Sequence, residues 1–125
     1  ELFDEEPAAG QTLHAWLEQQ GTGDRVEVTR CCFLLGRETR SGGMVDCMIE
    51  DPTRHISRLH AAILYDGDNF YVQDISAKNV TQLNDTILQN GVLPEHRDRF
   101  PSAYRLYEGD CVRLAEEALI FHQGD

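Results

Sequence analysis

Polar and basic side chains stand directly before an apolar run near the middle of the chain. His55, Ser57, Arg58 and His60 precede the strand-forming residues 61–65. Because those residues fix the start of a strand, the polar residues before it would project as a loop at the end of a sheet. A hydroxyl, a guanidinium and two imidazoles suit a tetrahedral dianion, since charge-assisted bonds from arginine are the strong ones. The stretch therefore predicts an anion-recognition loop on a β scaffold.

Short alternating or apolar runs, separated by turn-forming residues, follow one another along most of the chain. Residues 12–19 and 25–29 alternate around a Gly-Thr-Gly-Asp turn, which favours a hairpin over the alternative of a helix for the first segment. Further short strands are predicted at 31–35, 45–49, 60–65, 69–74, around Leu83 and Ile87, and at 104–106, 111–114 and 119–122. About ten short strands with turns between them predict an all-β sandwich.

The composition indicates one globular domain with an acidic surface. The chain has 125 residues, 41% of them hydrophobic, and a formal net charge of −11 at pH 7. An acidic surface repels a phosphate backbone, which disfavours nucleic acid as a partner. No apolar run approaches the roughly 18 residues of a spanning helix, and the first residues of the sequence do not have a signal-peptide pattern. We expect no direct membrane contact and a cytoplasmic location. A cytoplasmic domain of a larger or membrane-anchored protein would also fit this expectation. Because the sequence begins at Glu1, we expect a longer parent chain.

Cysteine side chains are predicted to be buried, and aromatic side chains are predicted to lie in the core. Cys31 and Cys32 are neighbours that cannot easily pair with each other, and Cys47 and Cys111 add no spacing typical of zinc. Because all four lie in apolar strand contexts, we expect buried, reduced thiols and neither a metal nor a cofactor. The aromatic residues expected in the core are Trp16, Phe33, Phe70 and Phe121.

Four short motifs occur in order, each at the junction of a strand and a loop. They are Gly36-Arg37, Ser57-Arg58-Leu59-His60, Asp74-Ile75 with Lys78-Asn79-Val80-Thr81-Gln82-Leu83-Asn84, and Glu108-Gly109-Asp110 before an apolar strand. Together they resemble the forkhead-associated (FHA) domain, whose motifs are G-R, S-x-x-H, N-G-T and a further Asn. The resemblance covers residues 11–123. Residues 1–10 would be an acidic linker or a disordered end, and residues 89–103 a surface-loop insertion.

The resemblance implies an eleven-stranded β-sandwich of two antiparallel sheets, the FHA/SMAD-like fold, which binds phosphothreonine peptides through loops at one end. Arg37 would pair with the phosphate, Ser57 would donate its hydroxyl, and Arg58 would add a charged or backbone contact. Asn79 would hold the peptide main chain, and His60 would brace the loop. His55 is either an additional donor or an exposed loop residue.

Two positions depart from the family motif. Lys78 stands where the family has Ser or Thr before the asparagine, and Val80 stands where it has Gly after it. A glycine there permits positive φ, which strains a β-branched residue, so Val80 predicts a β-region path for this loop. Lys78 would then offer an ammonium to the phosphate in place of a hydroxyl.

The sequence therefore predicts a module, not an enzyme, that binds phosphothreonine-containing proteins or peptides in Ser/Thr kinase signalling. The alternative is a phosphate-independent assembly domain of the same fold, which would bind a folded partner through its altered loops or its insertion. An enzyme with Ser57 as nucleophile, His60 as base and Asp74 as orienting residue is disfavoured, because the chain has no G-x-S-x-G motif.

Strand alternation also predicts where the insertion leaves the sheet. If the strand near Leu83 leads away from the phosphate-binding end, the strand near Ile87 returns to it. Residues 89–103 would then leave from that end, with His96, Arg97 and Arg99 available to contact a peptide.

Overall fold

The structure is a computed structural model that describes residues 13–30, 32–36, 47–49, 60–75, 80–88, 103–115 and 117–124. In these residues the chain forms eleven strands: β1 (Ala15–Gln19), β2 (Arg25–Glu27), β3 (Cys32–Gly36), β4 (Cys47–Met48), β5 (Ala61–Tyr65), β6 (Phe70–Asp74), β7 (Thr81–Leu83), β8 (Thr86–Ile87), β9 (Tyr104–Arg105), β10 (Cys111–Leu114) and β11 (Glu117–Gln123). Each overlaps or adjoins a predicted strand. Among the described residues, no helix is long and apolar enough to cross a lipid bilayer.

The strands form two sheets that share one core. The larger sheet has the order β2-β1-β11-β10-β7-β8, and the smaller sheet has the order β4-β3-β5-β6-β9. The pairings are antiparallel except that of β3 with β4, which is parallel. The predicted eleven-stranded sandwich of two antiparallel sheets is confirmed for the described residues, with one parallel pair at an edge of the smaller sheet.

A hydrophobic core fills the space between the sheets. Because alternate side chains of a strand point to the same face, Leu17, Val112 and Phe121 reach the core from the larger sheet, and Phe33 and Val72 reach it from the smaller one. Burying a side chain of this size contributes roughly 1.5–3 kcal/mol. The core therefore holds the sheets face to face and decides which strand ends lie together. The predictions that Cys32, Phe33, Phe70 and Phe121 are buried are confirmed.

Trp16, predicted to lie in the core, and Cys111, predicted to be buried, lie half-buried on the outer face of the larger sheet instead. Leu17 faces the core, so its neighbour Trp16 faces outward, where it pairs with His122. In the same way Val112 is buried in the core and Cys111 points away from it. The two-residue period of a strand decides the face, and hydrophobic character alone does not.

Candidate functional site

The strand ends beside the predicted binding loops lie together at one end of the sandwich. Ala61, the first residue of β5, pairs with Leu35 of β3 and with Asp74, the last residue of β6. Thr81, the first residue of β7, reaches Asp74 from the other sheet through a side-chain hydrogen bond. We call this the recognition end and define it by Leu35, His60, Asp74 and Thr81.

His60 is the residue at which these chain segments meet. Its side chain is fully buried, at 0% exposure. The His60 N–H donates to the Leu35 carbonyl over 2.9 Å, and the His60 carbonyl accepts from the Ile75 N–H over 3.1 Å. Its ring Nε2 lies 3.1 Å from the Val80 carbonyl oxygen. Because a carbonyl oxygen only accepts, Nε2 carries the proton in this bond. His60 thus joins the end of β3 to both flanks of residues 76–79.

A second buried contact links the two sheets beside His60. Thr81 Oγ1 donates to Asp74 Oδ1 over 2.7 Å, and both side chains are buried. The sequence motifs contain both residues but did not predict this bond. A signal for it was present, since Phe70, Val72 and Asp74 occupy alternate, inward-facing positions of one strand. A carboxylate at such a position needs a buried polar partner.

The side chains predicted to contact a phosphopeptide lie outside the described residues. They are Arg37, Ser57, Arg58, Lys78 and Asn79, together with His55. Their described neighbours are brought together: Arg37 comes two residues after Leu35, Arg58 two residues before His60, and Asn79 directly before Val80. These three neighbours are hydrogen-bonded to one another through His60. The roles of the six side chains, and the bracing role of His60, stay predictions.

Val80, which replaces the glycine of the motif, contributes its backbone to the recognition end. Its side chain is 47% exposed. Its carbonyl oxygen accepts from the His60 ring and also from the Ala115 N–H, over 3.4 Å. With valine at this position, the backbone carbonyl therefore bonds both His60 and Ala115. The predicted β-region path of that loop involves Asn79, which lies outside the described residues.

The predicted insertion begins beside the recognition end. The Leu88 N–H donates to the Thr81 carbonyl over 2.9 Å, so β8 returns the chain to the level at which β7 began. This agrees with the strand alternation on which the prediction rested. Residues 89–102 lie outside the described residues, and a contact between His96, Arg97 or Arg99 and a peptide stays a prediction.

The protein-family model of the FHA domain matches residues 33–115, which is more than half of the chain. The chain belongs to the FHA domain family. The matched range contains the recognition end and every predicted binding position, so the resemblance that the motifs indicated is confirmed. The predicted limits of this FHA domain, 11–123, extend beyond the match and stay predictions. A comparison with curated proteins gave no match.

Solved FHA domains share its fold. A structure from a structural and functional analysis of phosphothreonine-dependent FHA domain interactions has a TM-score of 0.68 and 20% identity, over 89% of this chain and 97% of that one. Mycobacterium tuberculosis EmbR in complex with a low-affinity phosphopeptide also scores 0.68, with 22% identity over 94% of this chain and 26% of EmbR. The MEK1 FHA domain in complex with a phosphothreonine peptide of HOP1 scores 0.65, with 24% identity over 90% and 98%.

The opposite end of the FHA domain, which we call the far end, consists of exposed turns and the end of β11. It comprises residues 66–69, 84–85 and 107–110 together with His122. Asn84 sits at a positive φ of 55°; its Oδ1 accepts from the Cys111 N–H over 3.0 Å, and its Nδ2 donates to Asp110 over 3.2 Å. The turn at 84–85 is thereby tied to the start of β10.

The Asp66 turn shows the same kind of side-chain-to-backbone bonding. Its Oδ1 accepts from the N–H groups of Asp68 and Asn69, each over 2.8 Å, and its Oδ2 accepts from the Tyr71 hydroxyl over 3.1 Å. Burial acts to raise the pKa of Asp66. The bonds from Asn69, Asp68 and Tyr71 outweigh that burial and lower the pKa below its ordinary value. The ionised carboxylate is therefore the form that closes this turn.

His122 at the far end lies between two carboxylates. Its Nδ1 is 2.7 Å from Glu108 Oε2, and its Nε2 is 3.0 Å from Glu18 Oε1. Because both partners are acceptors, the arrangement favours the doubly protonated ring. The hydrogen bond to Glu108 is the main cause that raises the pKa of His122, while bonds from the Gln123 N–H and from His122 lower the pKa of Glu108. Among the described residues, no cluster of His, Cys, Asp and Glu could hold a metal ion.

Proposed function

We propose that this FHA domain is a phosphothreonine-dependent peptide- or protein-binding module that acts in Ser/Thr kinase signalling in the cytoplasm. One observation carries the proposal. The described flanks of the three loops that hold Arg37, Ser57 with Arg58, and Lys78 with Asn79 meet at the buried His60. Loops that share one buried junction have a fixed spacing, which a site for a single phosphate group needs.

The residues of the proposed site have different roles, some in attracting the phosphate and others in fixing the peptide's position. Arg37 and Ser57 hold the phosphate, Arg58 adds a charged or backbone contact, and Asn79 holds the peptide main chain. Lys78 adds a flexible point charge, which contributes attraction to the phosphate more than selection of geometry. The chain carries a formal net charge of −11, so a few basic residues at one end favour a small anion over a polyanion.

The geometry of His60 favours binding over catalysis. A general base needs a ring nitrogen within reach of the proton that it removes. His60 has no exposed surface, and its Nε2 donates to the Val80 carbonyl. The carboxylate of Asp74, the candidate orienting group of the enzyme alternative, accepts from the Thr81 hydroxyl. These contacts support a structural role for both residues.

The main experiment compares Arg37→Ala with the parent domain against a degenerate phosphothreonine peptide library and against the single best sequence from it. We expect the variant to lose measurable binding with little change in its melting temperature. Truncating one member of a buried, hydrogen-bonded charge pair costs ~2–5 kcal/mol of affinity. Arg25→Ala is the matched control, because Arg25 lies exposed on the edge strand β2, where it is paired with Glu27. Full binding by the Arg37→Ala variant would contradict the assignment of the phosphate site.

The phosphate-independent alternative is separated from this proposal by a pull-down before and after phosphatase treatment of the extract. We expect the captured partners to be lost after treatment. Partners that remain bound to both the parent domain and the Arg37→Ala variant would favour the assembly domain instead.

A further inference from the structure

The chain crosses from one sheet to the other at the recognition end. β6 belongs to the smaller sheet and β7 to the larger sheet, and residues 75–80 connect them. Asp74 is the last residue before this crossing and Thr81 is the first residue after it. Their side chains are joined by the 2.7 Å bond from Thr81 Oγ1 to Asp74 Oδ1. The distance between the two ends of the crossing is therefore set by a bond between side chains and not only by the core.

Both side chains of this bond are buried, which fixes their relative position. Asp74 is 3% exposed and Thr81 is 0% exposed. A buried carboxylate is unfavourable unless it is hydrogen-bonded, so the two side chains must keep their relative position. His60 also holds the two ends of the crossing. Its carbonyl oxygen accepts from the Ile75 N–H, and its ring donates to the Val80 carbonyl.

We propose that Asp74 and Thr81 are positioning residues, which set the spacing of the two chain ends from which residues 76–79 leave and so hold Asn79 where it can bond a peptide main chain. This inference rests on the proposed function. Asn79 comes two residues before Thr81. A hydrogen-bonded, buried pair at that distance along the chain supports a binding residue without contacting the ligand itself. Neither side chain is exposed enough to touch a peptide.

If the hydrogen bond between Thr81 and Asp74 merely stabilises the sandwich, a different experimental result is expected. Loss of the bond would then lower the melting temperature, while the folded molecules would bind as before. Loss of a positioning bond lowers the affinity of the folded molecules themselves, and its effect depends on the presence of Asn79. The two cases are separated by affinities measured well below the melting temperature of every variant.

The test uses Thr81→Val, which removes the hydroxyl and keeps the shape of the side chain, and Thr81→Ser, which keeps the hydroxyl. The probe is one phosphothreonine peptide selected from the degenerate library. We expect Thr81→Val to bind about tenfold more weakly and Thr81→Ser to bind within about twofold of the parent domain. Thr86→Val is the matched control, because Thr86 is exposed in β8 of the same sheet. Thr81→Ala replaces Thr81→Val if the latter does not fold.

A double-mutant cycle with Asn79→Ala then asks whether Thr81 acts through Asn79. We expect the double variant to bind no more weakly than the weaker-binding single variant, because both substitutions remove the same bond between Asn79 and the peptide main chain. Single effects that multiply in the double variant, or an unchanged affinity of Thr81→Val, would overturn the inference while the proposed function stands. If the parent domain itself binds no peptide of the library, the proposed function fails and the inference fails with it.

Discussion

At the recognition end the described polar side chains are buried, whereas at the far end they lie in exposed turns or at the end of β11. His60 has no exposed surface and bonds the backbone groups of Leu35, Ile75 and Val80. His122 is 22% exposed and lies between Glu18 and Glu108, whose side chains are 47% and 55% exposed. One histidine joins backbone segments in the interior, and the other joins charged side chains at the surface.

This difference determines how much each end depends on its histidine. A hydrogen bond in the interior is strong because no water competes for its partners, and removal of one partner leaves the other unsatisfied. A surface ion pair is weakened by water and salt, and either partner can be solvated when the other is lost. A site that must hold several loops at a fixed spacing therefore needs interior bonds, while turns that only close the sandwich can use exposed ones.

The largest effect is expected for His60→Ala. This substitution leaves a cavity and removes one of the two described donors to the Val80 carbonyl, so the free energy of unfolding should fall by about 2–4 kcal/mol, and phosphopeptide affinity should fall with it. Urea unfolding and peptide titration measure the two effects. An unchanged unfolding midpoint would show that the buried histidine does not brace the recognition end.

An intermediate effect is expected at the far end for Asn84. Asn84→Ala removes two side-chain bonds and places a Cβ-bearing residue without local hydrogen bonding at φ 55°, which should cost about 1–2 kcal/mol of stability. Asn84→Gly removes the same bonds without the backbone strain, so it should be the more stable variant by about 1 kcal/mol. Both should bind phosphopeptide as the parent domain does, and weakened binding by the glycine variant would show that the two ends are coupled.

The smallest effect is expected for His122→Gln, and it should depend on pH. The raised pKa of His122 means that its ion pairs stabilise the fold fully below its ordinary value of 6.5 and lose that contribution as pH rises through the folded-state value. At low pH the contribution is lost again, because Glu108, whose pKa is lowered, becomes protonated. Arg25, which lies over the Trp16 ring, and its partner Glu27 are further charged groups beside the cluster.

We expect the parent domain to be more stable than His122→Gln by about 0.2–1 kcal/mol at about pH 5.5 and less so at about pH 9. Thermal unfolding at both pH values measures this difference, and Glu108→Gln should reduce the same pH dependence. Trp16 is the only tryptophan of the chain and stacks on His122, so its fluorescence reports on the cluster directly. A stability gap that widens at alkaline pH would contradict the assignment of a protonated ring.

The local sequence determined the strands and most of their inward faces. Turn residues mark where each strand ends, and a strand has a period of two, so patterns within a few residues carry this information. The same patterns located the motifs of the FHA family, and with them the positions of Arg37, Ser57, His60 and Asn79. They misplaced Trp16 and Cys111 only where hydrophobic character was preferred to alternation.

The tertiary structure alone decided which groups meet. The bond between Asp74 and Thr81 forms because β6 and β7 belong to different sheets that share one core. The contact between His122 and Glu18 joins residues 104 positions apart in the sequence. A local pattern can indicate that Asp74 needs a buried partner, but it does not identify the partner in either contact, because strand order and register depend on packing of the whole core. The sequence indicated that His60 is important, and the packing of the strands decided which backbone groups it joins.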